Sequence, residues 1–191
     1  MQDTESTESS FESHPHYSNK IEPATESATS STFEIVLADA AATQAFAEAF
    51  AQACREASAF QPGLVVYLQG DLGAGKSFFC RAFIQQFLPG QKVKSPTYTL
   101  VESYETELGM VRHFDLYRLC DPEELAFLGL RDLLVAPFVA LVEWPSKGQG
   151  ELPSADLTLS LQPLGAGRCG RLTANTAAGS LILKGVQAIS G

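Results

Sequence analysis

The 191-residue chain lacks any run of about eighteen or more apolar residues, so no segment is long enough to cross a membrane as a helix. It also lacks a basic start followed by an apolar stretch, which argues against a secretory signal. The shortage of arginine argues against a transit peptide. These absences favour a cytoplasmic protein with no membrane partner.

Basic residues are scarce: 13 Lys and Arg stand against 22 Asp and Glu, which gives a formal net charge of -9. Phosphate contacts supply most of the binding energy of nucleic-acid complexes, so proteins that bind nucleic acid by themselves usually carry a basic face. The acidic balance therefore disfavours independent nucleic-acid binding, although it is compatible with a local basic patch.

The cysteines are few and scattered. Cys54, Cys80, Cys120 and Cys169 form no C-x-x-C pair, and their spacing fits neither a zinc cluster nor a dense disulfide framework. We interpret them as thiols of a reducing cytosol, in preference to a catalytic cysteine.

Residues 1–32 contain almost no large aliphatic residues and are dominated by Ser, Thr and acids. Such a stretch cannot bury enough apolar area to offset the entropy of ordering it. The sequence therefore predicts a disordered acidic Ser/Thr-rich tail over 1–32 and one domain over 33–191, a length that suits a single hydrophobic core.

Predicted strands alternate with predicted helices along this domain. The patterns indicate strands at 33–37, 64–68, 98–104, 110–114, 138–142 and 156–162, and a strand near 171–173 that pairs with the last of these. They indicate helices from just after Asp39 through Ala57, at 77–88, after Asp121-Pro122 and at 181–189. Two of these strands are almost wholly apolar, as strands are when helices cover both faces. We expect an α/β fold with a central mixed β-sheet flanked by helices.

The turn after the second strand carries a phosphate-binding motif, G-x-x-x-x-G-K-[ST], matched at every fixed position by Gly70, Asp71, Leu72, Gly73, Ala74, Gly75, Lys76 and Ser77. Its glycines let the backbone wrap around phosphate, and the following helix directs its positive end to the same place. Lys76 can reach the β- and γ-phosphate oxygens, and the Ser77 hydroxyl can ligate Mg²⁺. The motif predicts a single P-loop NTPase-type domain, with a nucleotide-binding set that runs through Phe78.

Two acids at strand ends can complete such a site. Asp115 follows the strand 110–114, and Glu143 follows the strand 138–142. Ligands of open α/β folds bind just beyond the carboxyl ends of strands, and phosphoryl transfer needs an acid near Mg²⁺ and a group that orients the nucleophile. The residues alone leave open which acid takes which part.

Three neighbours of these acids have less specific patterns. His113 is expected to be a structural hydrogen-bonding residue, because no second His lies nearby in sequence. The position of Arg118 is compatible with two roles, which are to neutralise the charge that develops on phosphate or to form an ion pair with Glu123 or Glu124. Trp144 suits either the wall of the site or the core.

Four motifs together resemble one family. Residues 93–102 (VKSPTYTLVE) resemble its S-P-T-[FY] switch-like loop, residues 113–119 (HFDLYRL) its H-x-D-x-Y-R motif, and residues 141–145 (LVEWP) its I-E-W motif. With the P-loop at 70–77 in front, they occur in the order of the TsaE (YjeE) family, bacterial ATPases needed to make threonylcarbamoyladenosine in tRNA. The resemblance covers about residues 33–190.

The resemblance implies an ATPase that binds ATP and Mg²⁺. It implies the TsaB–TsaD pair as partners, which transfers a threonylcarbamoyl group to an adenosine next to the anticodon, with tRNA contacted only indirectly. ATP hydrolysis in this family supports multiple turnovers rather than the transfer itself.

Site roles carry over by position. Ser77 and Glu143 would bind Mg²⁺. Asp115 would be catalytic, together with Lys76 and with Thr97 of the switch-like loop. The nucleotide would also lie near Asp39, Trp144 and Arg168. The P-loop ends in Ser77 where the family commonly has Thr, and Ser keeps the hydroxyl, so we expect little change in Mg²⁺ binding.

Other functions remain as alternatives. A small-molecule P-loop kinase needs an acceptor-binding segment and usually a basic lid, whereas the region after the P-loop helix is short and poor in Arg. A GTPase switch needs an Asp-x-x-Gly motif, which the sequence lacks. A binding module that hydrolyses ATP slowly by itself overlaps with the ATPase, because a site completed by a partner shows weak activity in isolation.

Overall fold

The computed structural model describes residues 31–190. The predicted disordered tail lies almost entirely outside this range and stays a prediction. Its last residue, Thr32, already begins the first strand, so the ordered domain starts slightly earlier than the composition indicates.

A seven-stranded mixed sheet forms the centre of the domain. Its strands are β1 (Thr32–Leu37), β2 (Leu64–Gln69), β3 (Val101–Thr106), β4 (Gly109–Asp115), β5 (Phe138–Glu143), β6 (Leu157–Leu164) and β7 (Gly167–Ala174). They lie in the order β1-β7-β6-β2-β5-β4-β3. Strand β2 pairs in parallel with β5 and β6, β5 pairs in parallel with β4, and the remaining pairs are antiparallel.

Helices cover both faces of this sheet, and they are α1 (Ala40–Glu56), α2 (Lys76–Phe87), α3 (Glu124–Phe127), α4 (Leu130–Leu133) and α5 (Ala177–Ser190). Along β2, Val66 belongs to the core under α1, α2 and α5, whereas its neighbour Val65 belongs to the core on the side of α3 and α4. Alternate side chains of a strand point to opposite faces, which is why the apolar runs of β2 and β5 serve both cores. The predicted α/β fold with a mixed sheet is confirmed.

Asp39 begins α1 as predicted. Its Oδ1 accepts a hydrogen bond from the Ala42 backbone N–H at 2.8 Å, which satisfies one of the unpaired donors of the first turn. The phenylalanines of this helix, Phe46 and Phe50, then pack against Phe79 of α2 at ring-centroid distances of 5.7 and 5.6 Å. This packing fixes α2, the helix that follows the P-loop.

Two local predictions are wrong in detail. The third strand does not begin at Tyr98, because the Leu100 N–H donates to the Pro96 carbonyl at 2.7 Å and Leu100 adopts φ +62°, which makes residues 96–100 a turn. The helix expected after Asp121-Pro122 is two short helices, since Gly129 at φ +69° separates α3 from α4. In the range 31–190, no helix combines the length and the apolar character that a bilayer span needs.

Candidate nucleotide-binding site

The P-loop, residues 70–77, connects the carboxyl end of β2 to α2. Gly70 has φ +138°, and a Cβ there would lie 2.4 Å from the Leu161 carbonyl oxygen, so no other residue type fits without displacing β6. Gly75 has φ +103° and gives α2 no side-chain cap. The first N–H groups of α2 are therefore free of a side-chain acceptor, which is the arrangement that binds anions at helix N-termini.

Lys76 places an ammonium group at the centre of this loop. The side chain is only 4% exposed, and its Nζ donates to the carbonyls of Gly70 at 2.7 Å and Asp71 at 2.9 Å. Burial lowers the pKa of Lys76, and the negative charges of Glu143 and Asp115 oppose that shift. The Lys76 ammonium group therefore lies inside the turn that the glycines with positive φ form.

Glu143, at the end of β5, faces the P-loop helix. It is 2% exposed, and its Oε2 accepts a hydrogen bond from the Ser77 hydroxyl at 2.9 Å. Its other oxygen, Oε1, lies 2.8 Å from His113 Nε2. A hydroxyl and a carboxylate oxygen side by side are hard oxygen ligands of the kind that Mg²⁺ prefers.

Asp115, at the end of β4, lies directly across from Glu143 in the parallel β4–β5 register. Its Oδ2 accepts hydrogen bonds from the Thr97 hydroxyl at 2.8 Å and from the Ser95 hydroxyl, and its Oδ1 accepts one from the Tyr117 N–H at 3.1 Å. Among residues 31–190, every hydrogen bond to this carboxylate therefore comes from the loop before β3 or from its own turn.

Trp144 forms part of the wall beside the acids. It adopts φ +57°, a left-handed conformation that costs a bulky residue on the order of 1–3 kcal/mol. Its ring packs on Tyr117 at a centroid distance of 5.0 Å, and Lys76 Nζ lies 4.0 Å from the ring centroid. These contacts hold the strained residue in place, and Trp144 both lines the cleft and packs against the core on the side of α3 and α4.

These residues enclose a cleft of about 380 Å³, lined by Leu72, Gly73, Gly75, Lys76, Ser77, Phe78, Ser95, Thr97, Asp115, Tyr117, Glu143 and Trp144. Wider grooves of about 570 and 650 Å³ lie elsewhere on the described surface, but neither is lined by P-loop residues or by the two acids. The candidate site is therefore the smaller cleft.

The remaining predicted residues do not line the cleft, and they differ in how near they come to the P-loop. The guanidinium of Arg168 lies against the P-loop at Gly75. A Cβ built on Gly75 would lie only 2.7 Å from Arg168 Nη1. Arg168 Nη1 also donates a hydrogen bond to the Thr43 hydroxyl at 3.1 Å. Ala74 is buried within the loop. Asp39 does not line the cleft, and its Oδ1 is engaged as the cap of α1, so its contact with nucleotide stays a prediction.

Two residues of the site carried no assignment from sequence, and in the described part of the chain Arg118 nearby makes neither of the contacts that an ion pair would need. Ser95 and Tyr117 line the cleft and bind Asp115, although only the S-P-T and D-x-Y spacing hinted at them. Arg118 makes no ion pair within residues 31–190, and its guanidinium lies 4.2 Å from the ring centroid of Tyr98.

Comparison with known proteins places this arrangement in a family. The family described as threonylcarbamoyl adenosine biosynthesis protein TsaE matches residues 37–169. A Haemophilus influenzae protein named tRNA threonylcarbamoyladenosine biosynthesis protein TsaE is 46% identical over 123 residues, which are 64% of this chain and 78% of that protein. A Rickettsia bellii protein of the same name is 38% identical over 109 residues, 56% of this chain and 75% of its own length.

A solved structure supports the fold. The crystal structure of YdiB from Bacillus subtilis superposes with a TM-score of 0.69 at 24% sequence identity, covering 85% of this chain and 98% of that one. Since the family match spans most of the domain that carries the P-loop and both acids, the chain belongs to the TsaE family of threonylcarbamoyl adenosine biosynthesis proteins.

Proposed function

We propose that this protein is a Mg²⁺-dependent ATPase subunit of the system that makes threonylcarbamoyladenosine in tRNA. The observation that carries the proposal is the convergence of Lys76, Ser77, Asp115 and Glu143 on one cleft at the carboxyl ends of β2, β4 and β5. The relatives named for this tRNA modification supply the pathway.

Nucleotide binding rests on the P-loop. Its backbone curves at Gly70 and Gly75, and Lys76 supplies the charge that pairs with phosphate oxygens. Ser77 and Glu143 would hold Mg²⁺, because their oxygens already lie 2.9 Å apart at the wall of the cleft. The ion, when bound, neutralises charge that develops on the phosphate oxygens.

Hydrolysis is assigned to Asp115, which would orient the attacking water. In the described conformation both oxygens of this carboxylate accept hydrogen bonds, from Ser95 and Thr97 on one side and from Tyr117 on the other. These three donors leave a further acceptor position of the carboxylate, on Oδ1, for a water. Phosphoryl transfer depends on positioned charge, and a site that a partner completes is weakly active by itself, so we expect slow turnover by the isolated protein.

The TsaB–TsaD pair is the proposed partner, with tRNA contacted only through it. The acidic net charge of -9 agrees with indirect contact, since no strong phosphate-binding surface is expected on such a chain.

The test is Mg²⁺-dependent ATP hydrolysis by the purified protein, alone and with the TsaB–TsaD pair. We expect weak hydrolysis alone and clear stimulation by the pair, both abolished in Lys76→Ala. Exposed Lys184 of α5 provides the matched control, since Lys184→Ala removes an equal charge far from the P-loop in sequence. Turnover that requires a small-molecule acceptor, with no effect of the pair, would instead identify a kinase.

A further inference from the structure

A buried polar pair lies directly behind the cleft. His113 in β4 is 0% exposed and Glu143 in β5 is 2% exposed, and His113 Nε2 lies 2.8 Å from Glu143 Oε1. Burial of such groups is unfavourable unless they are paired. The roles proposed for Lys76, Ser77 and Asp115 leave His113 as a buried ionisable side chain beside Glu143 that has no part in binding or hydrolysis.

The contacts of its ring fix where the proton of a neutral His113 lies. Nδ1 is buried and has no hydrogen-bond partner among the described residues, whereas Nε2 faces a carboxylate oxygen. A hydrogen on Nδ1 would be a buried donor without an acceptor, so the favoured tautomer carries its hydrogen on Nε2. His113 therefore donates to Glu143 Oε1.

Two donors divide the oxygens of Glu143 between them. His113 occupies Oε1, and the Ser77 hydroxyl occupies Oε2 at 2.9 Å. With Oε1 held from the side of β4, rotation of the carboxylate is restricted and Oε2 stays directed at the P-loop serine. Hydrogen bonds of this kind orient metal-binding carboxylates and contribute to metal affinity.

Cys80 of α2 is the third group around this carboxylate. Potential ligand atoms of Cys80, His113 and Glu143 all lie within 4.8 Å of one another, and all three residues are buried. Burial raises the pKa of the Cys80 thiol well above its usual range, and the nearby charges of Glu143 and Asp115 act in the same direction. Two buried side chains, His113 and Cys80, therefore lie beside the Glu143 carboxylate.

We propose that His113 is a positioning residue for the Mg²⁺ site, which acts by holding the Glu143 carboxylate in the orientation that ligates the ion with Ser77. The inference rests on the proposed function, since it presumes that Ser77 and Glu143 hold Mg²⁺. A change at His113 should therefore alter the affinity for Mg²⁺, and it should leave the metal-free affinity for nucleotide unchanged because His113 does not contact the nucleotide.

The experiment compares His113→Leu with His113→Gln. Leucine fills much of the same space without a donor, whereas the glutamine amide nitrogen stands as many bonds from Cβ as Nε2 does and can donate to Glu143. Binding of a fluorescent ATP analogue is measured over a range of Mg²⁺ concentrations and in EDTA. We expect His113→Leu to raise the Mg²⁺ concentration at half-saturation by about tenfold to a hundredfold.

Nucleotide affinity in EDTA should stay unchanged in both variants, and His113→Gln should restore Mg²⁺ dependence to within a few fold of wild type. Equal shifts in both variants, or no shift in His113→Leu, would overturn the inference. If His113→Leu does not fold, His113→Asn replaces it, because the shorter amide retains polarity but cannot reach Glu143.

The same measurements distinguish a failure of the proposed Mg²⁺ site from a failure of the positioning role of His113. A wild-type protein whose nucleotide binding ignores Mg²⁺, with Glu143→Gln also without effect, would refute the metal site itself. A wild-type protein that depends on Mg²⁺, with Glu143→Gln impaired and His113→Leu normal, would refute only the positioning role.

Discussion

Single side chains decide the chemistry of the cleft, and Asp115 is the clearest case. It is 4% exposed, yet it lines the cleft and accepts hydrogen bonds from Ser95, Thr97 and Tyr117. A carboxylate held in this way is fixed in position before any nucleotide arrives. Its role should therefore be in turnover, whereas the P-loop should supply affinity.

The variant Asp115→Asn tests that division. The amide keeps the shape of the side chain but removes the charge and one acceptor, so we expect nucleotide affinity to stay within about threefold and single-turnover hydrolysis to fall by about 10²-fold or more. Asp132→Asn, at an exposed acid of α4, removes the same charge away from the cleft and should leave both quantities unchanged. Loss of nucleotide binding in Asp115→Asn would reassign Asp115 to binding.

Sequence spacing predicts some of these residues and not others. Lys76 and Ser77 follow from a contiguous motif, and Asp115 and Glu143 follow from their positions after apolar strands. The bonds from Ser95 to Asp115 and from His113 to Glu143 join residues 20 and 30 positions apart. They depend on the register of β4 with β5 and on the turn before β3, which no local pattern specifies.

At the scale of elements, close backbone approach positions α5 against the sheet. A Cβ on Gly179 would lie 2.0 Å from the Asp156 carbonyl oxygen, and a Cβ on Gly185 would lie 2.9 Å from Ala53 Cβ of α1. Both glycines occur inside a helix, where alanine is normally favoured by about 1 kcal/mol. The structure explains their presence by the space that they leave for neighbouring backbone and side chains.

Gly179→Ala should therefore destabilise the protein, although alanine is the better helix former. The added methyl forces α5 away from Asp156, and a clash with a backbone oxygen puts the cost at or above the upper end of the about 1–3 kcal/mol typical of overpacking, which exceeds the gain of about 1 kcal/mol in helix propensity. The free energy of unfolding, measured with urea, should fall by roughly 2 kcal/mol. Lys184→Ala on an exposed position of α5 should change it by less than about 0.5 kcal/mol, and a stabilised Gly179→Ala would contradict the packing.

Elements with a strong local signal were predictable from the sequence. The capping Asp39 marks α1, and the apolar runs of β2 and β5 indicate strands buried on both faces. The start of β3 was not predictable, since residues 98–100 have strand-like composition but are held in a turn by the Leu100 N–H to Pro96 bond. Tertiary context overrides strand propensity at that point.

At the scale of the whole molecule, the two edges of the sheet lie at different distances from the cleft. Strand β3 forms one edge next to the cleft, and β1 forms the other edge, beyond β7 and β6. Strand β1 pairs with β7 over all six of its residues, and the Ala174 N–H also donates to the Ser31 carbonyl at 2.9 Å. The ordered domain therefore needs its chain from Ser31 onward.

Two truncations separate the acidic tail from the domain. Removal of residues 2–30 should leave the melting temperature and the ATPase rate unchanged, because the composition of this stretch predicts no contribution to a core. Removal of residues 2–37 also takes away β1, including Leu37, which is 1% exposed, and leaves the β7 edge unpaired. Burial of a leucine contributes about 2 kcal/mol, and the lost ladder adds to that, so the second truncation should melt several degrees lower or fail to fold. A lowered melting temperature already in the first truncation would show that the tail stabilises the domain, which would refute the prediction of a dispensable disordered tail.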